Sequence, residues 1–167
     1  MRRFTLCAVL LSLALPAFAQ EPVGCDKFKW SLDNERALLS NPSAVASGTE
    51  LKQALSTAVL LKLVPMGDAK LPTPPSRVAK SADAYAGFVH VPGVLKAGTY
   101  RVTLSAGAWV DVVQDGQTLN ASEFSGATGC SGVRKSVKFV LSTSPLVLEI
   151  SGVSAPEIAF VLSQDRE

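Results

Sequence analysis

From Tyr85 onward the chain is a series of short strand-like stretches broken by turn residues, with no helical stretch between them. That pattern confines the fold to a β architecture. Residues 85–91 form one stretch, stopped by Pro92-Gly93. Residues 99–105 set Tyr100, Val102 and Leu104 against Arg101, Thr103 and Ser105. Ala106-Gly107 marks a tight turn, residues 108–114 run back, and Asp115-Gly116 closes the stretch. Residues 133–141, 146–151 and 157–162 follow, separated by 142–145 and 152–156. Short strands at this spacing predict an antiparallel β-sandwich or jelly roll.

Ahead of this body lies a less regular arm. Residues 30–39 predict a short helix, with Ser31 as N-cap and Asp33 and Glu35 in its first turn. Asn41-Pro42 ends it. Leu51, Ala54, Leu55 and Ala58 have helical spacing, but the β-branched and leucine-rich residues 58–64 read as a strand. Residues 71–76, with Pro72, Pro74 and Pro75, are an extended connector and not a strand interior.

The first residues carry an address. Met1-Arg2-Arg3 is a basic start, residues 6–15 are an apolar run too short to span a bilayer, and residues 16–19 end in the small-x-small pattern of a cleavage site. Residues 1–19 are therefore expected to be a signal peptide, and 20–167 a single domain that begins at or near Gln20 in the periplasm or outside the cell. Removing Arg2 and Arg3 from the 16 basic residues leaves 14, equal to the 14 acidic ones. With no basic surplus and no Lys/Arg-rich run, a nucleic-acid partner has no electrostatic support. No other stretch has the length and apolarity of a transmembrane segment.

Cys7 leaves with the leader, so Cys25 and Cys130 remain. In an oxidising compartment two cysteines predict one disulfide. A lipid anchor on Cys25 is the competing reading, but Pro22-Val23-Gly24 is not a lipobox and anchoring would strand Cys130.

The 99–114 region yields one local inference. With Ala106-Gly107 as a two-residue hairpin loop, Leu104 lies opposite Trp109, Val102 opposite Asp111, and Tyr100 opposite Val113. Asp111 then points inward beside Trp109, where its carboxylate needs a cationic or hydrogen-bonding partner. Arg134 and Lys135 are the candidates. Two readings stay open: Trp109, Asp111, Arg134 and Tyr100 line a ligand pocket, or they form a buried ion pair within a core.

Tests for catalytic and metal chemistry mostly fail, with a sandwich-type calcium site at Asp115 and loop carbonyls left open. His90 is the single histidine and is expected to face solvent. One histidine and two bridged cysteines cannot build the usual zinc or facial-triad iron site. There is no Gly-x-Ser-x-Gly elbow, phosphate-binding loop or EF-hand pattern. No carboxylate pair is singled out for glycoside hydrolysis. No cofactor is expected.

Cys25-Asp26-Lys27-Phe28-Lys29-Trp30 with Asp33-Asn34-Glu35-Arg36, residues 108–116, and residues 130–137 resemble three signature blocks of a family of small exported proteobacterial proteins of unestablished function. Members sometimes carry a homogentisate dioxygenase label, an activity that requires a histidine-rich iron site this sequence lacks. Residues 98–104 also resemble the Gly-x-Tyr strand of prepeptidase C-terminal and carbohydrate-binding sandwiches, a likeness of fold that fixes no function. The sequence thus leads us to expect a non-enzymatic exported binding protein for a glycan, a peptide or an envelope protein. The alternatives are a structural envelope component and an enzyme with an unfamiliar site.

Overall fold

The computed structural model describes residues 21–53 and 57–166. The expected signal peptide and the start at Gln20 lie outside these residues, as do Ala54 and Leu55. The described residues open with a 3₁₀ turn at Cys25–Lys27 and contain one α-helix, α1 (Asp33–Leu39). Twelve strands follow: β1 (Ser43–Ala46), β2 (Thr49–Glu50), β3 (Val59–Lys62), β4 (Val64–Pro65), β5 (Tyr85–Val91), β6 (Gly98–Leu104), β7 (Trp109–Gln114), β8 (Gln117–Thr118), β9 (Glu123–Gly126), β10 (Lys135–Leu141), β11 (Leu146–Val153) and β12 (Glu157–Gln164). They build a β-sandwich. One sheet has the order β1-β3-β12-β6-β10-β9, the other β2-β5-β11-β7-β8, with β4 beside β5.

Both sheets are mixed and not purely antiparallel, because β1 lies parallel to β3 and β2 parallel to β5. These small edge strands come from residues 43–50, whose Ser, Ala and Gly content gives no strand signal of its own. The principal strands follow the alternation of the sequence. Tyr100, Val102 and Leu104 of β6, Val137, Phe139 and Leu141 of β10, and Leu146, Leu148 and Ile150 of β11 fill the space between the sheets. Asp115, at φ 52°, and Gly116, at φ 76°, take the left-handed turn that a β7–β8 hairpin demands. At Gly93 a side chain is barred, since a Cβ there would lie 1.7 Å from the Thr143 carbonyl oxygen.

The predicted β6–β7 hairpin is not formed. Leu104 pairs with Lys135 and Phe160, and Trp109 with Ser151, so β6 and β7 belong to different sheets. Residues 105–108 are a corner that carries the chain across the sandwich. The Ser105 N–H donates to the Ala159 carbonyl at 2.9 Å, and the Ser105 hydroxyl accepts from the Ala159 N–H at 3.0 Å. These bonds hold the corner on β12.

Helix α1 starts later than predicted, with Leu32 and not Ser31 at its N-cap. Trp30 and Leu32 are buried at 5 % exposure each, in a second apolar cluster with Phe28, Leu39, Ala159 and Val161. Burying those side chains on the sheet keeps the backbone out of helical geometry until Asp33. The Ser31 hydroxyl still accepts a weak bond, at 3.4 Å, from the Asp33 N–H. The arm is pinned at its start by the Cys25–Cys130 disulfide and by backbone bonds between residues 22–24 and Thr128.

A polar network fastens the same arm further on. The Trp30 indole N–H donates to Ser136 at 3.2 Å, and the Lys138 ammonium sits 4.2 Å from the ring centroid. Asp165 pairs with both Arg101 and Lys138. Burial works against the charge on Asp165, but these two cations outweigh it and hold the carboxyl below its ordinary value.

Candidate functional site: a cationic groove around Trp109

Strand β7 sends Val110 and Val112 into the core, so Trp109, Asp111 and Val113 lie on the outer face of their sheet. This reverses the predicted inward direction of Asp111. The side chain is nevertheless 5 % exposed, because the proline-rich segment 71–76 crosses that face as a strap. The three prolines keep the strap extended and out of the sheet ladders, which leaves its free N–H groups available to side chains beneath.

Those N–H groups meet two carboxylates. Asp111 and Glu149 are directly opposite on β7 and β11. The Ser76 N–H donates to Asp111 Oδ2 at 3.1 Å, its hydroxyl donates to Oδ1, and the Thr73 N–H donates to Glu149 Oε1 at 2.8 Å. The Trp109 indole N–H is shared between Ser76 Oγ, at 2.7 Å, and Asp111 Oδ1, at 3.1 Å. Asp111 is thus satisfied by hydrogen bonds from the strap and from Trp109, while Arg134, one of its two candidate cationic partners, pairs with Glu21.

Beside the strap the sandwich end opens into a groove of about 650 Å³. Its walls come from the corner (Gly107, Ala108), from β9 (Phe124), from the turn after β11, from the arm (Glu21, Pro22) and from residues 77–84 that continue the strap. Trp109 lies in it, half-buried, with the Arg77 guanidinium 5.2 Å and the Lys135 ammonium 5.1 Å from its ring centroid. Both are within cation–π range. Lys135 Nζ also donates to the Ala108 carbonyl at 2.9 Å. Burial pushes the Lys135 ammonium below its ordinary value, Arg77 and Arg134 push it further, and Asp111 works the other way.

The structure therefore divides the residues that sequence had grouped. Trp109 and Arg134 line the groove, where Arg134 pairs with Glu21. Asp111 lies beneath the strap, and Tyr100 is core, 1 % exposed, its hydroxyl donating to the Lys96 carbonyl at 2.6 Å. Arg77 and Lys80 were missed. They stand in a stretch that reads as linker, and nothing in their spacing points at Trp109.

His90 is exposed and stacks edge-on against Phe88. Among the described residues no group of three or more His, Cys, Asp or Glu side chains is placed to hold a metal ion. No helix among them is long and apolar enough to cross a membrane. Comparison of the chain with family models, with curated proteins and with solved structures finds no match.

Proposed function

We propose that this chain is an exported, non-enzymatic β-sandwich that binds a small ligand, or an exposed group of an envelope partner, in the groove around Trp109. The observation that carries the reading is the groove itself: a ligand-sized concavity with an aromatic ring and several cations converging on it. Apolar walls with a few placed polar groups are what a binding site needs. The adjacent carboxylates Asp111 and Glu149 lie under the strap, at 5 % and 1 % exposure, out of a substrate's reach. The leader-like start and the Cys25–Cys130 disulfide support export.

The test is an NMR titration of the uniformly ¹⁵N-labelled protein against a panel of oligosaccharides and short peptides. The two tryptophans give two indole resonances, assigned with Trp109→Phe. A saturable shift of the Trp109 indole, with Trp30 unmoved, supports the reading. A panel that moves neither leaves the domain as a structural component of the envelope.

A further inference from the structure

We infer that the groove takes an organic anion, a carboxylate or phosphate joined to a compact apolar body, with the oxyanion between Arg77 and Lys135 at the Trp109 ring. The inference rests on the groove being a ligand site and names the ligand's chemistry.

The charge balance of the walls points this way. Arg77, Lys80, Arg134 and Lys135 line the groove against Glu21 and Asp83. Glu21 is taken up by Arg134, and neither Arg77 nor Lys80 makes an ion pair among the described residues. Arg77 and Lys135 are both held at the Trp109 ring, 5.2 and 5.1 Å from its centroid, so two like charges share one aromatic anchor. An aromatic quadrupole attracts cations but cancels no net charge. A bound oxyanion would, and it would meet a planar guanidinium fork and an ammonium in a partly desolvated setting where such bonds are strong.

Glu21 shows that the groove accepts this chemistry, since its carboxylate already sits on Arg134 at the groove's edge. Beside Ser81, Ser151 and Ser154, the remaining wall is largely apolar. Val78 is 90 % and Phe124 65 % exposed, and Pro22 and Ala108 continue the surface. Exposed apolar side chains beside unpaired cations suit a ligand with a hydrophobic body and one charged end.

The full exported chain is titrated by ¹H–¹⁵N NMR with 4-phenylbutyrate, phenethyl phosphate and the neutral 4-phenylbutyramide. The anions should shift the Trp109 indole saturably, and the amide should bind at least about tenfold more weakly, the worth of a charge-assisted hydrogen bond. The ratio between the two anions identifies the preferred oxyanion. Arg77→Gln, on an exposed side chain that supports no strand, should weaken both anions by roughly tenfold. Glu21→Gln should tighten them several-fold by releasing Arg134. If the amide binds as well as the anions and Arg77→Gln changes nothing, the anion assignment fails while the groove stands as a ligand site. If none of the three probes moves the Trp109 indole at millimolar concentration, the anion assignment fails, and the oligosaccharide and peptide panel decides whether the groove is a site at all.

Discussion

Glu149 is 1 % exposed, with one carboxylate oxygen on the Thr73 amide and Oε2 buried without a partner among the described residues. Burial pushes its carboxyl above the ordinary 4.5; the Thr73 bond opposes this, and the charge of Asp111 adds to it. For an acid with a raised folded value, the stabilising contribution is complete below the ordinary value and is lost as pH rises through the raised one. Ionising Glu149 therefore costs the native state stability as pH rises. Glu149→Gln keeps the oxygen that accepts from Thr73 and turns an NH₂ toward Asp111. We expect it to raise stability at pH 7 by ~1 kcal/mol, the lower end of the cost of an unsatisfied buried group. That corresponds to a melting temperature about 2–4 °C higher, with the gap closing below pH 4.5. Melting curves from pH 4 to 8 decide it, and a wild-type chain that melts higher at pH 7 contradicts it. Asp165 has the opposite sign: its carboxyl is held below 3.8, so the support it gives through Arg101 and Lys138 is present above that value and vanishes in stronger acid.

Two segments that belong to neither sheet cover the outer faces, and they are anchored in different ways. The arm is fixed by the disulfide and by the packing of Trp30, Leu32 and Leu39; the strap is fixed by hydrogen bonds to Asp111 and Glu149. Because the disulfide spans 105 residues, removing it with Cys25→Ala and Cys130→Ala should cost about 2–4 kcal/mol. Hydrogen exchange locates the loss: amides of residues 23–30 should lose protection while β6 and β10 keep theirs. A uniform loss across the sandwich would mean that the bridge supports the core and not the arm. The arm's disulfide was legible from two cysteines and a compartment. The strap was legible only as an extended connector, since prolines announce the conformation of a segment but not the face it crosses. For that reason the neighbours of Asp111 were misplaced, although the Trp109–Asp111 pairing, two residues apart on one strand face, was already visible.

Across the whole molecule, residues 85–91, 99–105, 108–114 and 157–162 were readable as strands because each is a short run rich in β-branched, aromatic and other apolar residues, bounded by turn residues, with clean alternation in 99–105. Which strand pairs with which was not readable. A turn such as Ala106-Gly107 shows that the chain reverses, and the alternation of β6 fits equally well beside β7 or beside β10 and β12. Long-range packing chose the latter and sent β7 to the other sheet. The same choice places the last two strands in commanding positions: β12 separates β3 from β6, and β11 separates β5 from β7. A chain ending at residue 145 should therefore lose the joint of both sheets at once, giving a disordered circular-dichroism spectrum and no cooperative melt; a folded fragment would refute this. There is a consequence in time as well as in space. Until residues 146–164 arrive, β1 and β3 cannot join β6, β9 and β10, and β2 and β5 cannot join β7 and β8. A chain emerging from a narrow passage by its first residues would therefore complete neither sheet until almost all of it had passed.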